Sequence, residues 1–230
     1  MQIIKAIRRE EVLKAMFKED LQNTLLIDTY NGASFNMEKF RTFNPFYTWE
    51  KPVIPVPGTN KHSKSIEGIW QGCKLVHNKF DYDQFNSLPF KRPSEKDRDL
   101  DISYSYKDSI FSYEEEIINL IEARYLIYLI SYLYLLNELI SEELLYNIAS
   151  VINHGKHVLF FDWDSNFDIN DSSSSFSHSA ILAAWFNKSL DKFVDNAKNF
   201  LNKEFYNLFA RKFINLTTRY KKYAGGHYDF

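Results

Sequence analysis

Residues 126–136 read LIYLISYLYLL, the most apolar run of the chain, and this run decides the fold. A membrane-spanning helix needs roughly 20 apolar residues, whereas this run is shorter and is flanked by the charged residues Glu122, Arg124 and Glu138. We therefore interpret it as the centre of a long helix over residues 113–139, buried in the core of a globular domain. Aromatic residues make up 17% of the chain and supply ample further material for that core.

Around this helix the sequence predicts more helices and only a few strands. Helical spacing of apolar residues, with N-cap serines before two of the segments, predicts helices at residues 10–19, 66–77, 141–153, 179–187 and 190–220. β-rich runs predict strands at residues 3–7, 24–30 and 157–164. Proline-rich or polar stretches predict extended or loop structure at residues 40–58, 89–112 and 170–177. The result is a helix-rich α+β fold, with a domain over residues 1–188 and a C-terminal helical extension, residues 189–230, packed on the same domain.

The composition excludes several classes of protein. The 28 basic and 30 acidic residues give a formal net charge of −2, so the chain as a whole does not attract nucleic acid, although a local basic patch is compatible with this balance. A single cysteine, Cys73, excludes an internal disulfide and a cysteine-built zinc site. The N-terminal stretch is charged throughout and lacks the apolar core of a signal peptide. We therefore expect a cytoplasmic protein that does not bind membranes.

Residues 65–74 read SIEGIWQGCK and form the first candidate site. At about 100° per residue, a helix here places Glu67, Gln71 and Lys74 close together on one face, with Trp70 at its border. A carboxylate, an amide and an ammonium in one column, after a loop rich in proline and aromatic residues, indicate a pocket wall. Glu67 would act there as a general base or stabilise a cation, and Lys74 would pair with it or attack a sugar carbon. The alternative is that the three residues form the solvent-exposed face of an amphipathic helix.

This region resembles the NADAR superfamily. Residues 43–47 (FNPFY), the turn at residues 52–58 and the helix at residues 65–74 follow the order of its aromatic segment, short hairpin and s-x-E-h-x-x-Q-x-x-K helix. The resemblance covers about a fifth of the chain. Gly68 stands where a histidine often follows the glutamate, and the chain has no Gly-Asn-x-Leu-Gly segment. The combination of IPVPG with SIEGIWQGCK is also similar to an uncharacterised bacterial and phage family.

NADAR proteins are N-glycosidases that cleave the bond between a base and an ADP-ribose or ribose phosphate. The resemblance implies a pocket for such a conjugate, with Glu67 and Lys74 near the anomeric carbon and Gln71 beside them. The implied partner is a nucleotide or ADP-ribose conjugate, which includes ADP-ribosylated guanine in nucleic acid. Phe46 and Tyr47 are expected to form aromatic walls of this pocket. The implied chemistry requires no metal ion and no redox cofactor.

The second candidate segment is Asp162-Trp163-Asp164, at the C-terminal end of the strand predicted at residues 157–164. We expect Asp162 to orient a ribose hydroxyl or to activate water, with Asp164 beside it. We expect Trp163 to stack on a base and to form an aromatic wall together with Trp70. The alternatives are a turn-capping role for Asp162 and core packing for Trp163.

A metal site is another interpretation of the acidic residues Asp162, Asp164, Asp168 and Asp171. Acidic residues at strand ends bind magnesium in phosphoryl-transfer enzymes, and the chain would then be a metal-dependent phosphodiesterase. Their spacing lacks the glycine and the terminal glutamate of an EF-hand loop. We therefore predict no metal here and interpret the segment as an acidic loop. His178 follows at the start of a predicted helix, where we interpret it as a neighbour of the helix cap that could reach a phosphate.

Three cations are candidates for binding phosphate. Lys91 and Arg92 are adjacent on a predicted loop, so they either hold a pyrophosphate or are solvated surface residues. Arg124 lies in a very apolar helix and needs a partner, which is either a carboxylate or a ligand phosphate.

The sequence thus predicts an N-glycosidase that hydrolyses the base–ribose bond of an ADP-ribosyl or ribosyl-phosphate conjugate. Two alternatives share the same residues: a module that binds ADP-ribose or a nucleotide without cleaving it, and the metal-dependent phosphodiesterase. The Phe-rich face of the helix predicted at residues 190–220 is a candidate homo-oligomer interface if the core does not absorb it.

Overall fold

The structure, a computed structural model, describes residues 3–15, 23–30, 38–93 and 105–223. With 48% helix and 18% strand it is a helix-rich α+β fold, as the sequence predicts. The strands are β1 (Ile4–Arg8), β2 (Thr24–Asp28), β3 (Ile54–Pro55), β4 (His62–Ser63), β5 (Lys74–Leu75), β6 (Ile110–Tyr113), β7 (Glu116–Asn119) and β8 (His157–Asp162). The strand predictions at residues 3–7, 24–30 and 157–164 are therefore confirmed.

The helices surround a long central helix, α3, built of the consecutive segments Leu120–Ala123, Arg124–Leu129, Ile130–Tyr134 and Leu135–Leu139. Its second and fourth segments are π-helical. The other α-helices are α1 (Arg9–Ala15), α2 (Ile66–Cys73), α4 (Glu142–Asn153), α5 (His178–Phe186), α6 (Asp191–Ala197), α7 (Lys203–Asn215) and α8 (Thr218–Tyr223). Short 3₁₀-helices occur at Glu38–Phe43, Tyr82–Phe85 and Tyr106–Asp108. The last four residues of the helix predicted at 10–19 lie outside the described residues.

A three-stranded parallel sheet places the C-terminal ends of its strands at one edge. Strand β8 lies between β1 and β2, and Arg8 and Asp28 pair with Asp162 and Phe161 at this end of the register. The edge of a sheet where parallel strands end is where ligands bind in α/β folds. Asp162 is the last residue of the central strand and therefore lies at this edge.

Helix α3 crosses the core, as the apolar run at residues 126–136 predicts. Tyr125, Leu129 and Tyr132 are completely buried and belong to the main hydrophobic cluster. The Tyr132 hydroxyl donates a hydrogen bond of 2.6 Å to the Phe43 carbonyl, which attaches the helix to the segment preceding α2. The buried hydroxyl therefore has the hydrogen-bond partner that it needs.

The N-terminal boundary of α3 differs from the prediction. The predicted helix starts at residue 113, whereas Glu116–Asn119 is strand β7 and the helix begins only at Leu120. Asn119 caps it by accepting from the amides of Ile121 and Glu122, and the Glu122 carboxylate accepts a hydrogen bond from the Asn119 amide, which completes a capping box. Residues 110–112 of the loop predicted at residues 89–112 belong to strand β6, so that part of the loop prediction is wrong, and its residues 94–104 lie outside the described residues.

Helix α2 is shorter than predicted and ends at Cys73, although the predicted N-cap at Ser65 is confirmed by its bond to the Gly68 amide. Lys74 has extended backbone angles and pairs with Phe111 in the antiparallel β5–β6 ladder. This pairing supplies hydrogen bonds that replace a further helical turn. Lys74 therefore follows the helix rather than lying on it.

The C-terminal region forms three helices where the sequence predicts one, because Asn202 caps a new helix by accepting from the Phe205 amide. The predicted apolar face is confirmed in part: Phe205 and Phe209 are buried in the same hydrophobic cluster as α3, whereas Phe200 is 43% exposed. An oligomer interface on this face stays a prediction. Among the helices in the described ranges, none is both long and apolar enough to span a membrane.

Gly68 allows close packing between α2 and the 3₁₀-helix Tyr82–Phe85. A Cβ atom at Gly68 would lie 2.5 Å from the Gln84 backbone oxygen and 2.8 Å from the Ser65 hydroxyl oxygen. The first of these is a backbone atom, so the two segments would have to separate. Gly68 is therefore required by packing at this position of α2.

We expect Gly68→Ala to destabilise the protein by about 1–3 kcal/mol, because overpacking at a rigid backbone contact outweighs the higher helix propensity of alanine. Urea unfolding monitored by circular dichroism measures the effect. Lys192→Ala, at an exposed position of α6, is the control and is expected to leave the unfolding free energy nearly unchanged. Equal stability of Gly68→Ala and the wild type would contradict the packing argument.

Candidate functional site

A cavity of ≈ 910 Å³ lies where the C-terminal edge of the parallel sheet meets α2 and α3. This volume is typical of small-molecule sites, which span about 300–1,000 Å³. The structure brings all the predicted site residues into its wall except Tyr47: Phe46, Glu67, Trp70, Gln71, Lys74, Lys91, Arg92, Arg124, Asp162, Trp163 and Asp164. The Tyr47 ring instead packs edge to face on Trp49, with centroids 5.0 Å apart.

Several cavity residues were not predicted from the sequence: Tyr30, Asn44, Tyr106, Tyr128, Phe176 and His178. Asn44 explains how the aromatic loop reaches the cavity. Its side-chain amide donates to the Thr29 carbonyl after β2, and its side-chain oxygen accepts from the Phe46 amide. The loop is thereby attached to the C-terminal edge of the sheet.

Glu67 is a buried carboxyl group in the cavity wall. It lies in the first turn of α2 and is 6% exposed, and its carboxyl oxygen accepts a 2.7 Å hydrogen bond from the Gln71 side chain. Every residue of α2 is buried. The alternative that Glu67, Gln71 and Lys74 form a solvent-exposed helix face is therefore wrong.

Burial raises the pKa of Glu67, because the charged carboxylate loses the solvation of water. The hydrogen bond from Gln71 and the positive charges of Lys91 and Lys74 act in the opposite direction but do not cancel the effect of burial. The negative charge of Asp164 adds to the increase. Glu67 thus retains its proton to a higher pH than an exposed glutamate.

Gln71 connects Glu67 to the segment that carries Arg92. Besides donating to Glu67, its side-chain oxygen accepts a 2.8 Å hydrogen bond from the Arg92 amide. Lys74 Nζ donates to the Arg92 carbonyl. This hydrogen bond ties the Lys74 side chain to the backbone of Arg92, and the predicted nucleophilic role of Lys74 stays a prediction.

The Arg92 guanidinium binds backbone carbonyl oxygens around the end of α2. It donates to the carbonyls of Gln71, Lys74 and Lys79 at 3.1–3.3 Å. Carbonyls at a helix C-terminus lack partners within the helix and are favourable sites for a cation. Arg92 therefore has a visible structural role, and its predicted phosphate contact stays a prediction.

Lys91 is exposed at the cavity and supplies positive charge to its acidic groups. Its charge lowers the pKa values of Glu67, Asp162 and Asp164 relative to what burial alone would produce. Lys91 is therefore a long-range counter-ion to three carboxyl groups, and it is a cation available at the cavity surface for a ligand phosphate.

Asp162 differs from Glu67 in its electrostatic environment. Burial by itself would raise its pKa, but the neighbouring His178 and hydrogen bonds from His178 and the Trp163 amide outweigh burial, so the pKa of Asp162 is lowered. His178 Nδ1 lies 3.1 Å from Asp162 Oδ2, and the Trp163 amide donates at 2.6 Å. Asp162 does form the predicted local turn contact, and it also forms a buried pair with His178.

The sequence predicted His178 only as a neighbour of the helix cap that could reach a phosphate, and not as the partner of Asp162. His178 begins α5, whose N-cap is Ser177, so its position as a cap neighbour is confirmed. The side chain is nevertheless 3% exposed and packs against the Tyr132 ring at a centroid distance of 5.7 Å. No sequence pattern links His178 to Asp162, because their contact depends on how α5 folds back onto β8.

Trp163 forms an aromatic wall at the cavity. It is 64% exposed, so the alternative of core packing is wrong. Tyr30 packs edge to face on its ring, with centroids 5.6 Å apart, and the Arg9 guanidinium carbon lies 5.3 Å from the ring centroid. These neighbours hold an exposed indole in place, and an indole with accessible surface can stack on a nucleobase.

Arg124 stabilises the loop that follows β8. Its terminal nitrogens donate to the carbonyls of Ile169, Asp171 and Ser174 at 2.6–2.8 Å. The sequence left a carboxylate or a ligand phosphate as the partner, whereas these partners are backbone carbonyls. The side chain is 1% exposed, so the loop is attached to α3 through a buried cation.

The four aspartates of the metal interpretation do not converge. Asp162 and Asp164 line the cavity, whereas Asp168 and Asp171 accept hydrogen bonds from the amides of Asn170 and Ser173 within the loop. In the described part of the chain, no group of three or more His, Cys, Asp or Glu side chains is placed to hold a metal ion.

Burial raises the pKa of Asp164, with the charge of Asp162 acting in the same direction.

Comparison with known proteins gives one match. The model of a family described as "Family of unknown function (DUF6939)" matches residues 8–182, which include every cavity residue discussed above. No curated protein and no solved structure matches the chain.

Proposed function

Because the chain belongs to DUF6939, a family of unknown function, we propose a function from the site: hydrolysis of the N-glycosidic bond between a base and the ribose of an ADP-ribosyl or ribosyl-phosphate conjugate. The observation that carries this proposal is a pair of buried carboxyl groups, Glu67 and Asp162, in one cavity with pKa values shifted in opposite directions. Two carboxyl groups whose pKa values differ in this way are suited to different roles in acid–base catalysis.

Glu67 is the proton donor of the proposed reaction. Its raised pKa keeps the carboxyl group protonated to higher pH, so it can protonate the leaving base as the base–ribose bond breaks. The Gln71 side chain, itself held by the Arg92 amide, fixes the orientation of the carboxyl group. Because the donor lies on a rigid helix, misalignment of the carboxyl group lowers the reaction rate little.

In the proposed reaction, Asp162 supplies the negative charge that stabilises the transition state. Its lowered pKa keeps it a carboxylate. Cleavage of an N-glycoside develops positive charge on the sugar ring. A fixed negative charge on a buried side chain stabilises that transition state more than it would in bulk water. Asp164, with its raised pKa, adds a polar group beside it.

The remaining walls suit a nucleotide. Trp163 and Phe46 offer aromatic surface for a base, and Lys91 is a cation positioned to meet phosphate. The resemblance of residues 43–74 to the NADAR superfamily supports the same substrate class. The site requires no residue outside the range matched by the family model.

Product release from defined substrates tests the proposal. We would incubate the full-length protein with an oligonucleotide carrying ADP-ribosylated guanine and, separately, with NAD, and measure free ADP-ribose and nicotinamide by liquid chromatography and mass spectrometry. We expect release of ADP-ribose from the oligonucleotide, unchanged by EDTA and lost in Glu67→Gln. The nicotinamide of NAD takes the electron pair of the broken bond and needs no proton, so any release of nicotinamide should not depend on Glu67.

Two outcomes would contradict the proposal. Binding of these compounds without turnover, equally tight in Glu67→Gln, would identify a non-catalytic binding module. Cleavage of a phosphodiester bond that EDTA abolishes would instead identify the metal-dependent phosphodiesterase.

A further inference from the structure

Asp162 and His178 form a buried pair held in a fixed geometry. The 3.1 Å contact joins side chains that are 8% and 3% exposed, and it connects the end of β8 to the start of α5. Asp162 is held from a second side by the Trp163 amide. Both residues belong to the wall of the cavity. A carboxylate and an imidazole fixed in this way resemble the orienting half of a catalytic triad in geometry.

This contact determines which imidazole nitrogen is free to act. A carboxylate only accepts hydrogen bonds, so Nδ1 carries the hydrogen that is donated to Asp162, and the lone pair of the neutral ring is on Nε2. Within the residues that the structure describes, Nε2 of His178 is buried and has no hydrogen-bond partner. Buried polar atoms without a partner are uncommon, and at a cavity wall such an atom indicates a ligand or a reacting group.

Charged and titratable groups of both signs face His178. The Asp162 carboxylate lies 3.1 Å from Nδ1, and Asp164 and Lys91 line the same cavity. The N-terminus of α5, where His178 lies, carries partial positive charge. From α3, Tyr132 packs on the ring, and Tyr128 stacks on Tyr132.

We propose that His178 is the proton acceptor of the reaction, with Asp162 as the residue that positions its ring; this rests on the proposed N-glycosidase function. The water oxygen forms a bond to the anomeric carbon while the bond from that carbon to the base nitrogen breaks. The electron pair of the broken bond goes to the base, which takes the proton of Glu67. The proton lost by water goes to Nε2 of His178, and exchange with solvent restores both groups.

Single-turnover cleavage of the ADP-ribosylated guanine oligonucleotide tests this assignment. We expect His178→Asn to slow cleavage roughly 100-fold or more, with the Kd for the oligonucleotide changed by less than about threefold. His62→Asn, at an exposed histidine of β4, is the matched control and should cleave at the wild-type rate. In a folded His178→Ala protein, added imidazole should restore part of the rate, because free imidazole can take the proton in the vacated space.

A second measurement on the wild-type protein needs no variant that might fail to fold. Nitrogen-15 NMR of the imidazole rings should show His178 with its hydrogen on Nδ1 and with Nε2 unprotonated. A hydrogen on Nε2 together with an unprotonated Nδ1 would overturn the assignment. So would cleavage by His178→Asn at the wild-type rate, which leaves the proposed function intact. Absence of cleavage by the wild type would reject the proposed function itself and, with it, this role for His178.

Discussion

Replacing Glu67 by glutamine is expected to lower the rate of base–ribose cleavage by roughly 10²–10⁴-fold while leaving the protein folded. The substitution removes the transferable proton but keeps an oxygen that accepts the hydrogen bond from Gln71. Single-turnover product release measures the rate, and thermal unfolding in the absence of substrate measures stability. Because both carboxyl and amide fit the same space, the binding of the substrate should change little.

The stability of Glu67→Gln should depend on pH in a defined direction. The pKa of Glu67 is raised by burial, so its ionisation opposes folding above the unfolded-state pKa, by an amount that grows up to the folded-state pKa. At neutral pH the glutamine variant is therefore expected to have an equal or higher Tm than the wild type. Below about pH 4 the carboxyl group is protonated in both states, and the difference should vanish.

Glu116→Gln, at an exposed position of β7, is the control for this experiment and should change neither the rate nor the Tm appreciably. A Glu67→Gln protein with full activity would remove Glu67 from the chemistry. A much lower Tm at neutral pH would show that the carboxylate stabilises the fold, contrary to the direction of its pKa.

Replacing Arg124 by methionine is expected to destabilise the protein by about 3–5 kcal/mol. The substitution keeps the aliphatic volume but removes three hydrogen bonds from a buried cation to the carbonyls of Ile169, Asp171 and Ser174. Since single domains have only about 5–15 kcal/mol of stability, this is a large fraction of the total. Urea unfolding at neutral pH measures the loss.

The same substitution separates a structural from a ligand-binding role of Arg124. Arg211→Met, on the exposed side of α7, is the control and is expected to stay within about 0.5 kcal/mol of the wild type. If Arg124→Met kept wild-type stability and lost only affinity for the nucleotide, the loop contacts would be dispensable and the phosphate contact predicted from the sequence would be favoured.

The candidate site could be predicted largely from local sequence. The spacing of Glu67 and Gln71 on one helix, and the acidic group at the end of an apolar strand, are properties of short segments and survive folding. The contact between Asp162 and His178 is different, because it depends on the path of the loop between β8 and α5. A single sequence has no local signal for such a pair. Tyr30 escaped detection for the same reason, since it reaches Trp163 across the sheet.

Errors in the predicted fold arose where local signals competed. Residues 113–119 read YEEEIIN, and glutamate favours helices, but pairing in the β6–β7 ladder determines their structure. The capping box at Asn119 and Glu122 marks the true start of the helix and was present in the sequence. Lys74 continues the helical spacing of α2, yet pairing with Phe111 takes precedence. Tertiary pairing overrides propensity in both cases.

The π-helical turns of α3 limit how this chain can change in length. Removing one residue from Arg124–Leu129 would rotate everything after it by about 100° about the helix axis. Tyr132 would then lose its hydrogen bond to the Phe43 carbonyl. The two ends of α3 could no longer both keep the packing contacts with their neighbours. We therefore expect related sequences to contain single-residue insertions and deletions in surface loops but not in this helix. Among DUF6939 sequences we expect the number of residues between Arg124 and Tyr132 to be constant.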